Sequence, residues 1–322
     1  MRLPETGIVG RPRPPVSGRR WAKKISMPEN FDSRFVTAQD GLRLHVRCYG
    51  RNGGSLPVVC LPGLARTGAD FHTLASSLAA QQAAARQVIS IDMRGRGLSE
   101  YDRQPANYSI PVELGDLLAV LTALEIGPAI FVGTSRGGIL TMLLGVARPG
   151  AIAGAVLNDI GPVIEAPGLM RIKGYVGKLP QPRSFQEGAE ILRRLFQPHF
   201  PKLTPEDWLN FARRTFREQD RALLPAYDPK LANILEGIDL KRTLPSLWRE
   251  FGALGRVPLM VIRGANSDLL SASTVAAMRA RRPDLDAVEV PDQGHAPLLA
   301  EAETIDRIAA FVAGCDRLSR RH

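Results

Sequence analysis

The sequence is short of the features that mark several large classes of protein. Only three of its 322 residues are cysteines, and Cys48, Cys60 and Cys315 do not have the spacing of metal ligands. No apolar run approaches the roughly 18 residues needed to cross a bilayer. The chain also lacks an H-E-x-x-H motif, a phosphate loop and a G-x-G-x-x-G motif at its first helix. These absences argue against an integral membrane protein, a metalloenzyme and a nucleotide-dependent enzyme, so we expect no cofactor and no metal.

Positive charge is in excess, but much of it lies at one end of the chain. The formal net charge is +10, and residues 1–26, with seven basic residues and Glu5 as the one acid, contribute +6 of it. This segment is rich in proline, glycine and arginine and has no apolar stretch, so we expect a disordered leader rather than a secretory signal. We therefore expect neither a nucleic-acid partner nor membrane association, and a cytoplasmic protein with reduced thiols.

Two kinds of apolar pattern alternate along the chain from Phe31 onward. Continuous runs such as "LPVVCLPG" and "QVISIDM" are typical of strands covered on both faces, whereas "VELGDLLAVLTALEI" has helical spacing. The segment "SRFVTAQDGLRLHVRCYG" predicts a β-hairpin that turns at Asp40 and Gly41. Strand and helix patterns alternate up to residue 160 and again from residue 252. This order predicts an α/β protein with a mostly parallel sheet.

The alternation stops between residues 161 and 251. Here "EGAEILRRLFQ", "TPEDWLNFARRTFRE" and "LPSLWREFGALG" predict helices, the second beginning at Thr204 and Pro205, and no strand is convincing. We interpret this segment as a helical insertion. The chain then divides into five consecutive parts: a basic leader (1–26), a first core segment (27–160), a helical cap (161–251), a second core segment (252–316) and a tail (317–322).

Ser135 lies between glycines at the point where a predicted strand becomes a predicted helix. The sequence Gly133-Thr134-Ser135-Arg136-Gly137 matches G-x-S-x-G. A sharp strand-to-helix turn holds a serine at strained backbone angles, and side chains two positions to either side would collide with neighbouring elements. This context indicates a held nucleophile rather than a flexible linker.

A serine hydroxyl becomes a good nucleophile only when a base removes its proton. His295, in "VPDQGHAPLL", lies in a loop between the last predicted strand and the last predicted helix. We expect the other histidines, His45, His72, His199 and His322, to be structural or solvent-exposed. His295 is therefore the predicted base.

A carboxylate must orient the imidazole and stabilise its positive charge. Asp268, in "VIRGANSDLLS", directly follows the penultimate predicted strand, where the carboxyl ends of parallel strands build sites. Asp159, in "VLNDIGP", follows an earlier strand and is a second candidate, with the alternative role of tying down the entrance to the insertion. We favour Asp268, which gives the chain order Ser135, Asp268, His295.

These motifs together resemble the α/β-hydrolase fold superfamily, in particular its cap-bearing esterases, enol-lactonases, carbon–carbon bond hydrolases and epoxide hydrolases. The resemblance covers roughly residues 31–315 and rests on "LPGLART", "DMRGRGLS", the serine motif, "RGANSD" and "GHAP". It implies a mostly parallel eight-stranded sheet flanked by helices, with a helical cap insertion. It also implies an oxyanion hole made by the backbone N–H groups of Leu64 and Arg136.

A serine in this position suits acyl transfer, whereas epoxide hydrolases and haloalkane dehalogenases of this fold attack with an aspartate. The leading hypothesis is a serine hydrolase that cleaves a small carboxylic ester or lactone through an acyl-enzyme. There are two alternatives. One is a carbon–carbon bond hydrolase that acts on a ring-cleavage product, and the other is a non-catalytic ligand-binding protein. Arg94 and Arg96 are expected to pin a loop rather than to bind an anionic substrate. Cap residues that could line the pocket are Leu169, Met170, Ile172, Tyr175, Leu195, Phe196, Trp208 and Phe216.

Overall fold

The computed structural model describes residues 30–80, 85–239 and 244–320, so the expected disordered leader (1–26) and His322 lie outside the described residues. Its strands are β1 (Asp32–Thr37), β2 (Arg43–Tyr49), β3 (Val58–Leu61), β4 (Val88–Asp92), β5 (Ala129–Thr134), β6 (Ile152–Asn158), β7 (Phe216–Gln219), β8 (Ala222–Pro225), β9 (Leu259–Gly264) and β10 (Asp286–Val290). Its α-helices are α1 (His72–Ala79), α2 (Ile110–Ala123), α3 (Arg136–Ala147), α4 (Ala166–Tyr175), α5 (Phe185–Phe196), α6 (Pro205–Thr215), α7 (Asn233–Glu236), α8 (Trp248–Ala253), α9 (Ala272–Arg281) and α10 (Ala302–Ser319).

One sheet organises the described part of the chain. Eight strands follow the order β1-β2-β4-β3-β5-β6-β9-β10. Strand β2 pairs antiparallel with β1 and with β4, and every other neighbouring pair in this sheet is parallel. The hairpin predicted at Asp40 and Gly41 is confirmed, with Gly41 at a φ of 88°. The predicted α/β-hydrolase fold, with its mostly parallel eight-stranded sheet, is also confirmed.

Apolar residues cover both faces of the sheet because successive side chains of a strand point to opposite sides. Along β5, Ile130 packs with the apolar faces of α1 and α10, and Phe131 packs with those of α2 and α3. Cys48, Cys60 and Cys315 are free thiols buried in these two layers. None of the described helices is both long and apolar enough to span a membrane.

The segment between β6 and β9 is mainly helical but departs from the prediction in one place. Thr204 caps α6 in a reciprocal capping box with Asp207, as the sequence indicates. The helix predicted to continue through "TFRE" instead ends at Thr215, and β7 and β8 form an antiparallel hairpin. Asp220 and Arg221, at the turn, have φ values of 51° and 65°, which suit a tight hairpin turn. Burial of Phe216 in the cap outweighs its local helical pattern.

The loop after β4 is fixed by buried guanidinium groups. Arg94 is 1% exposed and forms a bidentate pair with Asp116, with both N–O distances 2.6 Å. It also donates to Asp102 at 2.6 Å and to Asp40 at 2.9 Å. Arg94 therefore holds the loop against α2 and the β1–β2 turn, which is the structural role expected from the sequence.

Removing this cation should destabilise the fold because it leaves buried carboxylates without a partner. We expect Arg94→Met to lower the free energy of unfolding by about 3–5 kcal/mol in urea titrations. The matched control is Arg307→Met, because Arg307 pairs with Asp286 at the surface and such pairs contribute about 0–1 kcal/mol. Equal losses in the two variants would contradict a structural role for Arg94.

Candidate active site

Ser135 occupies a tight turn between β5 and α3. Its backbone lies at φ 51° and ψ −114°, a strained conformation for a residue with a side chain. A Cβ atom on Gly133 would lie 2.5 Å from the carbonyl oxygen of Gly137, and one on Gly137 would lie 2.1 Å from that of Leu61. Only glycines fit at these two positions, and the turn they permit holds Ser135 above the end of the sheet.

His295 contacts the serine from the loop that follows β10. Its Nε2 atom lies 2.9 Å from Ser135 Oγ, and its Nδ1 atom lies 2.8 Å from Asp159 Oδ2. With the proton on Nδ1, His295 donates to the carboxylate and its Nε2 accepts from the serine hydroxyl. The predicted serine and the predicted histidine are therefore in direct hydrogen-bond contact.

The carboxylate at His295 is Asp159, so the expectation that Asp268 would occupy this position is wrong. Asp159 directly follows β6, is fully buried, and also accepts from the backbone N–H of Gly264 at 2.8 Å and from Ser267 Oγ at 2.5 Å. These donors, with His295, fix both carboxylate oxygens. The second candidate from the sequence therefore has the geometry required of the acid.

Asp268 instead fastens the cap to the core. Arg171, on α4, donates to its two carboxylate oxygens at 2.7 and 2.8 Å, and the backbone N–H of Gly168 donates to its carbonyl oxygen at 2.9 Å. Burial raises the pKa of Asp268, but the hydrogen bond and charge of Arg171 outweigh burial and hold that pKa below its ordinary value. The carboxylate is thus committed to Arg171, and the role of tying down the insertion falls to Asp268 rather than to Asp159.

The backbone amides of Leu64 and Arg136, expected to form an oxyanion hole, lie on segments that are held by hydrogen bonds of arginine side chains. Arg96 donates through Nε to the carbonyl oxygen of Leu64 at 2.8 Å. Buried Glu113 accepts from Arg96 and from the side chain of Arg136, each at 2.6 Å. Within the described residues, the backbone N–H groups of Leu64 and Arg136 have no acceptor. Both amides are therefore available, and their role remains a prediction.

A cavity of about 100 Å³ lies between the strand ends and the cap. Ser135, His295, Gly63 and Leu64 form part of its wall. Of the cap residues named as candidates, Ile172, Tyr175 and Phe196 line it. The other candidates do not: Trp208 and Phe216 pack inside the cap, Leu169 packs against the core, and Met170 and Leu195 are exposed.

The described histidines other than His295 do not reach Ser135. His45 is fully buried, with Nδ1 2.8 Å from Asp92 Oδ2 and Nε2 2.6 Å from Ser33 Oγ. This cluster repeats the three residue types of the site, but its members do not line the cavity. Asp92 also accepts from the backbone N–H of Gly68 at 2.7 Å, so the cluster holds the loop after β3. The structural role expected of His45 fits these contacts.

Several residues of the site escaped the sequence analysis. Ser267 supports Asp159, and Arg171 holds the cap through Asp268. Arg66 and Arg214 line the cavity, the first from the loop after β3 and the second from the last turn of α6. No local motif marks these residues, although Arg66 lies within "LPGLART", a segment that the resemblance already singled out.

Comparisons with known proteins identify the family of this chain. The sequence profile described as "Alpha/beta hydrolase family" matches residues 58–308. A 3-hydroxybutyrate-oligomer hydrolase from Cupriavidus necator is 33% identical over 277 residues, covering 80% of this chain and 88% of the relative. A 2-(acetamidomethylene)succinate hydrolase from Mesorhizobium japonicum is 27% identical over 209 residues, covering 64% of this chain and 71% of the relative. The crystal structure of an alpha/beta hydrolase from Novosphingobium aromaticivorans has a TM-score of 0.82 and 39% identity, covering 89% of this chain and 99% of that chain.

The roles of Asp159 and Asp268 can be distinguished by the rate at which Ser135 reacts with a fluorophosphonate, which labels an activated serine. We expect Asp159→Asn to slow labelling by about 10³–10⁴-fold, because an amide no longer favours the productive tautomer of His295. Asp268→Asn is the matched control: it removes the charge opposite Arg171 but no hydrogen bond to His295, so its labelling rate should stay near that of the wild type. Equal slowing in both variants would contradict the assignment.

Proposed function

We propose that this chain, which belongs to the alpha/beta hydrolase family, is a serine hydrolase. In this proposal it cleaves a small carboxylic ester through an acyl-enzyme. The observation that carries the proposal is the continuous hydrogen-bonded path from Ser135 through His295 to Asp159. A non-catalytic ligand-binding protein would not need this path. The strained turn at Ser135 also supports a reactive role, because such strain concentrates at functional sites.

In the proposed first step, Ser135 Oγ attacks the carbonyl carbon of the ester while His295 Nε2 takes the hydroxyl proton. The negative charge that develops on the carbonyl oxygen is stabilised by the backbone N–H groups of Leu64 and Arg136. Loss of one such donor costs about 2.7–4 kcal/mol in transition-state stabilisation. Asp159 remains ionised and stabilises the imidazolium.

The tetrahedral intermediate then collapses, and the alcohol leaves with the proton that His295 carries. The acyl group stays bonded to Ser135 Oγ. Water enters, gives a proton to His295 and attacks the acyl carbon, and the second collapse returns that proton to Ser135 as the acid departs. The enzyme is regenerated without any cofactor.

The lining of the cavity favours a substrate with an apolar chain. Ile172, Tyr175 and Phe196 supply apolar surface from the cap. The relative named as a 3-hydroxybutyrate-oligomer hydrolase supports esters of short hydroxy acids as the substrate class. We therefore propose a short hydroxyacyl ester as the first substrate to test, with simple esters and lactones of graded length beside it.

Replacement of the nucleophile tests this function directly. We expect Ser135→Ala to lower kcat for p-nitrophenyl butyrate and for a 3-hydroxybutyrate dimer by about 10⁴–10⁶-fold, because no acyl-enzyme can form. Ser33→Ala is the matched control, since Ser33 also contacts a histidine, His45, but lies outside the cavity. Circular dichroism should show both variants folded. Full activity in Ser135→Ala would overturn the proposal.

A further inference from the structure

The wall of the cavity carries more positive than negative charge. Among the described residues, two arginines, Arg66 and Arg214, and one aspartate, Asp70, line it. Arg66 occupies both oxygens of Asp70, with Nε 2.6 Å from Oδ2 and Nη2 2.5 Å from Oδ1. One bidentate pair therefore accounts for the single carboxylate, and the second guanidinium has no equivalent partner.

Arg214 is that second guanidinium. Its Nε atom is buried without a hydrogen-bond partner, and it lies 3.7 Å from Asp70 Oδ1, beyond hydrogen-bond distance. Burial lowers the pKa of Arg214 below its ordinary value; the charges of Asp70 and Asp207 oppose this shift and the charge of Arg66 adds to it. A buried polar group without a partner costs free energy. Arg214 is therefore short of an acceptor.

Arg66 is rigidly held close to the nucleophile. Its Nη1 donates to Thr215 Oγ1 at 2.6 Å, and its guanidinium lies over the ring of Phe211, 4.6 Å from the centroid. A methyl group on Gly63 would stand 3.6 Å from Arg66 Cγ and 3.7 Å from Ser135 Cβ. The base of the Arg66 side chain and the nucleophile thus border the same small space.

The chemistry of this wall suits a carboxylate. Guanidinium groups bind carboxylates through planar, charge-assisted hydrogen bonds, which are stronger where water is scarce. Two guanidiniums against one carboxylate leave a formal charge of +1, which matches a monoanion, whereas a phosphate monoester carries about −1.5 to −2 at pH 7. The remaining lining is mostly apolar, as suits the carbon chain of an organic acid.

We propose that Arg214, with Arg66 beside it, binds a free carboxylate of the substrate, so that the preferred substrates are esters that also carry a carboxylate group. This inference rests on the proposed ester hydrolysis at Ser135. It adds that the site distinguishes an ester with an acid group from a neutral ester of the same size.

Paired substrates test this preference on either side of the ester bond. On the acyl side, mono-p-nitrophenyl adipate is compared with its primary amide. On the alcohol side, 3-acetoxybutyrate is compared with 3-acetoxybutyramide, with acetate release as the measurement. The amides have nearly the size of the acids but no charge, so the ratio of kcat/KM within a pair isolates recognition of the carboxylate.

We expect the wild type to prefer the acid in at least one pair, and Arg214→Met to lower that ratio by about 10- to 100-fold, the range for one charge-assisted hydrogen bond. Arg214→Lys should restore part of the ratio because it keeps the charge. Arg213→Met is the matched control: Arg213 is in the same last turn of α6 but is exposed and does not line the cavity, so its ratio should equal that of the wild type.

The outcomes separate this inference from the proposed function. Hydrolysis of both members of each pair at equal rates, or an unchanged ratio in Arg214→Met, would overturn the carboxylate site while leaving Ser135 as the nucleophile. An equal fall in Arg213→Met and Arg214→Met would also overturn it, because the effect would then come from charge at the end of α6. Failure to hydrolyse any of the four compounds, together with no fluorophosphonate labelling of Ser135, would instead count against the proposed function.

Discussion

The site depends on one geometric constraint, the strained turn that carries Ser135. Gly133 and Gly137 allow β5 to meet α3 without a loop, and the parallel sheet brings the ends of β5, β6, β9 and β10 to the same edge. Residues that are distant in sequence therefore converge on the serine hydroxyl: Asp159 follows β6, and His295 comes from the loop after β10. Ile172, Tyr175 and Phe196, from the segment between β6 and β9, line the cavity at this edge. If the turn relaxed, the hydroxyl would leave the imidazole and the cavity would lose its reactive group.

Local signals predicted the fold and the two residues, Ser135 and His295, that the structure brings into contact. Buried strands, amphipathic helices and the glycines around Ser135 are each visible in a few consecutive residues, and His295 lies in a short loop between two clear elements. Local signals do not distinguish Asp159 from Asp268 as the carboxylate at His295, because both follow strands and β6 and β9 are neighbours in the sheet. Both carboxylates thus reach the same region. The choice between them depends on Ser267 and Arg171, whose contacts cannot be read from spacing.

The cap was predicted only in outline. Its helices follow from amphipathic patterns and from the capping box at Thr204, but the hairpin of β7 and β8 depends on a turn at Asp220 and Arg221 and on burial of Phe216. Which apolar residues face the cavity is set by how helices pack against one another. The positions of Arg66 and Arg214 follow from the same packing, because one comes from the core and the other from the cap.

The loop that follows β9 makes hydrogen bonds both to Asp159 in the core and to α4. Ser267 donates to Asp159, and the next residue, Asp268, binds Arg171 and receives a hydrogen bond from the backbone of Gly168. Two adjacent residues thus join Asp159 to α4. Two consecutive residues therefore anchor both the carboxylate at His295 and the helix that supplies Ile172 and Tyr175 to the cavity wall.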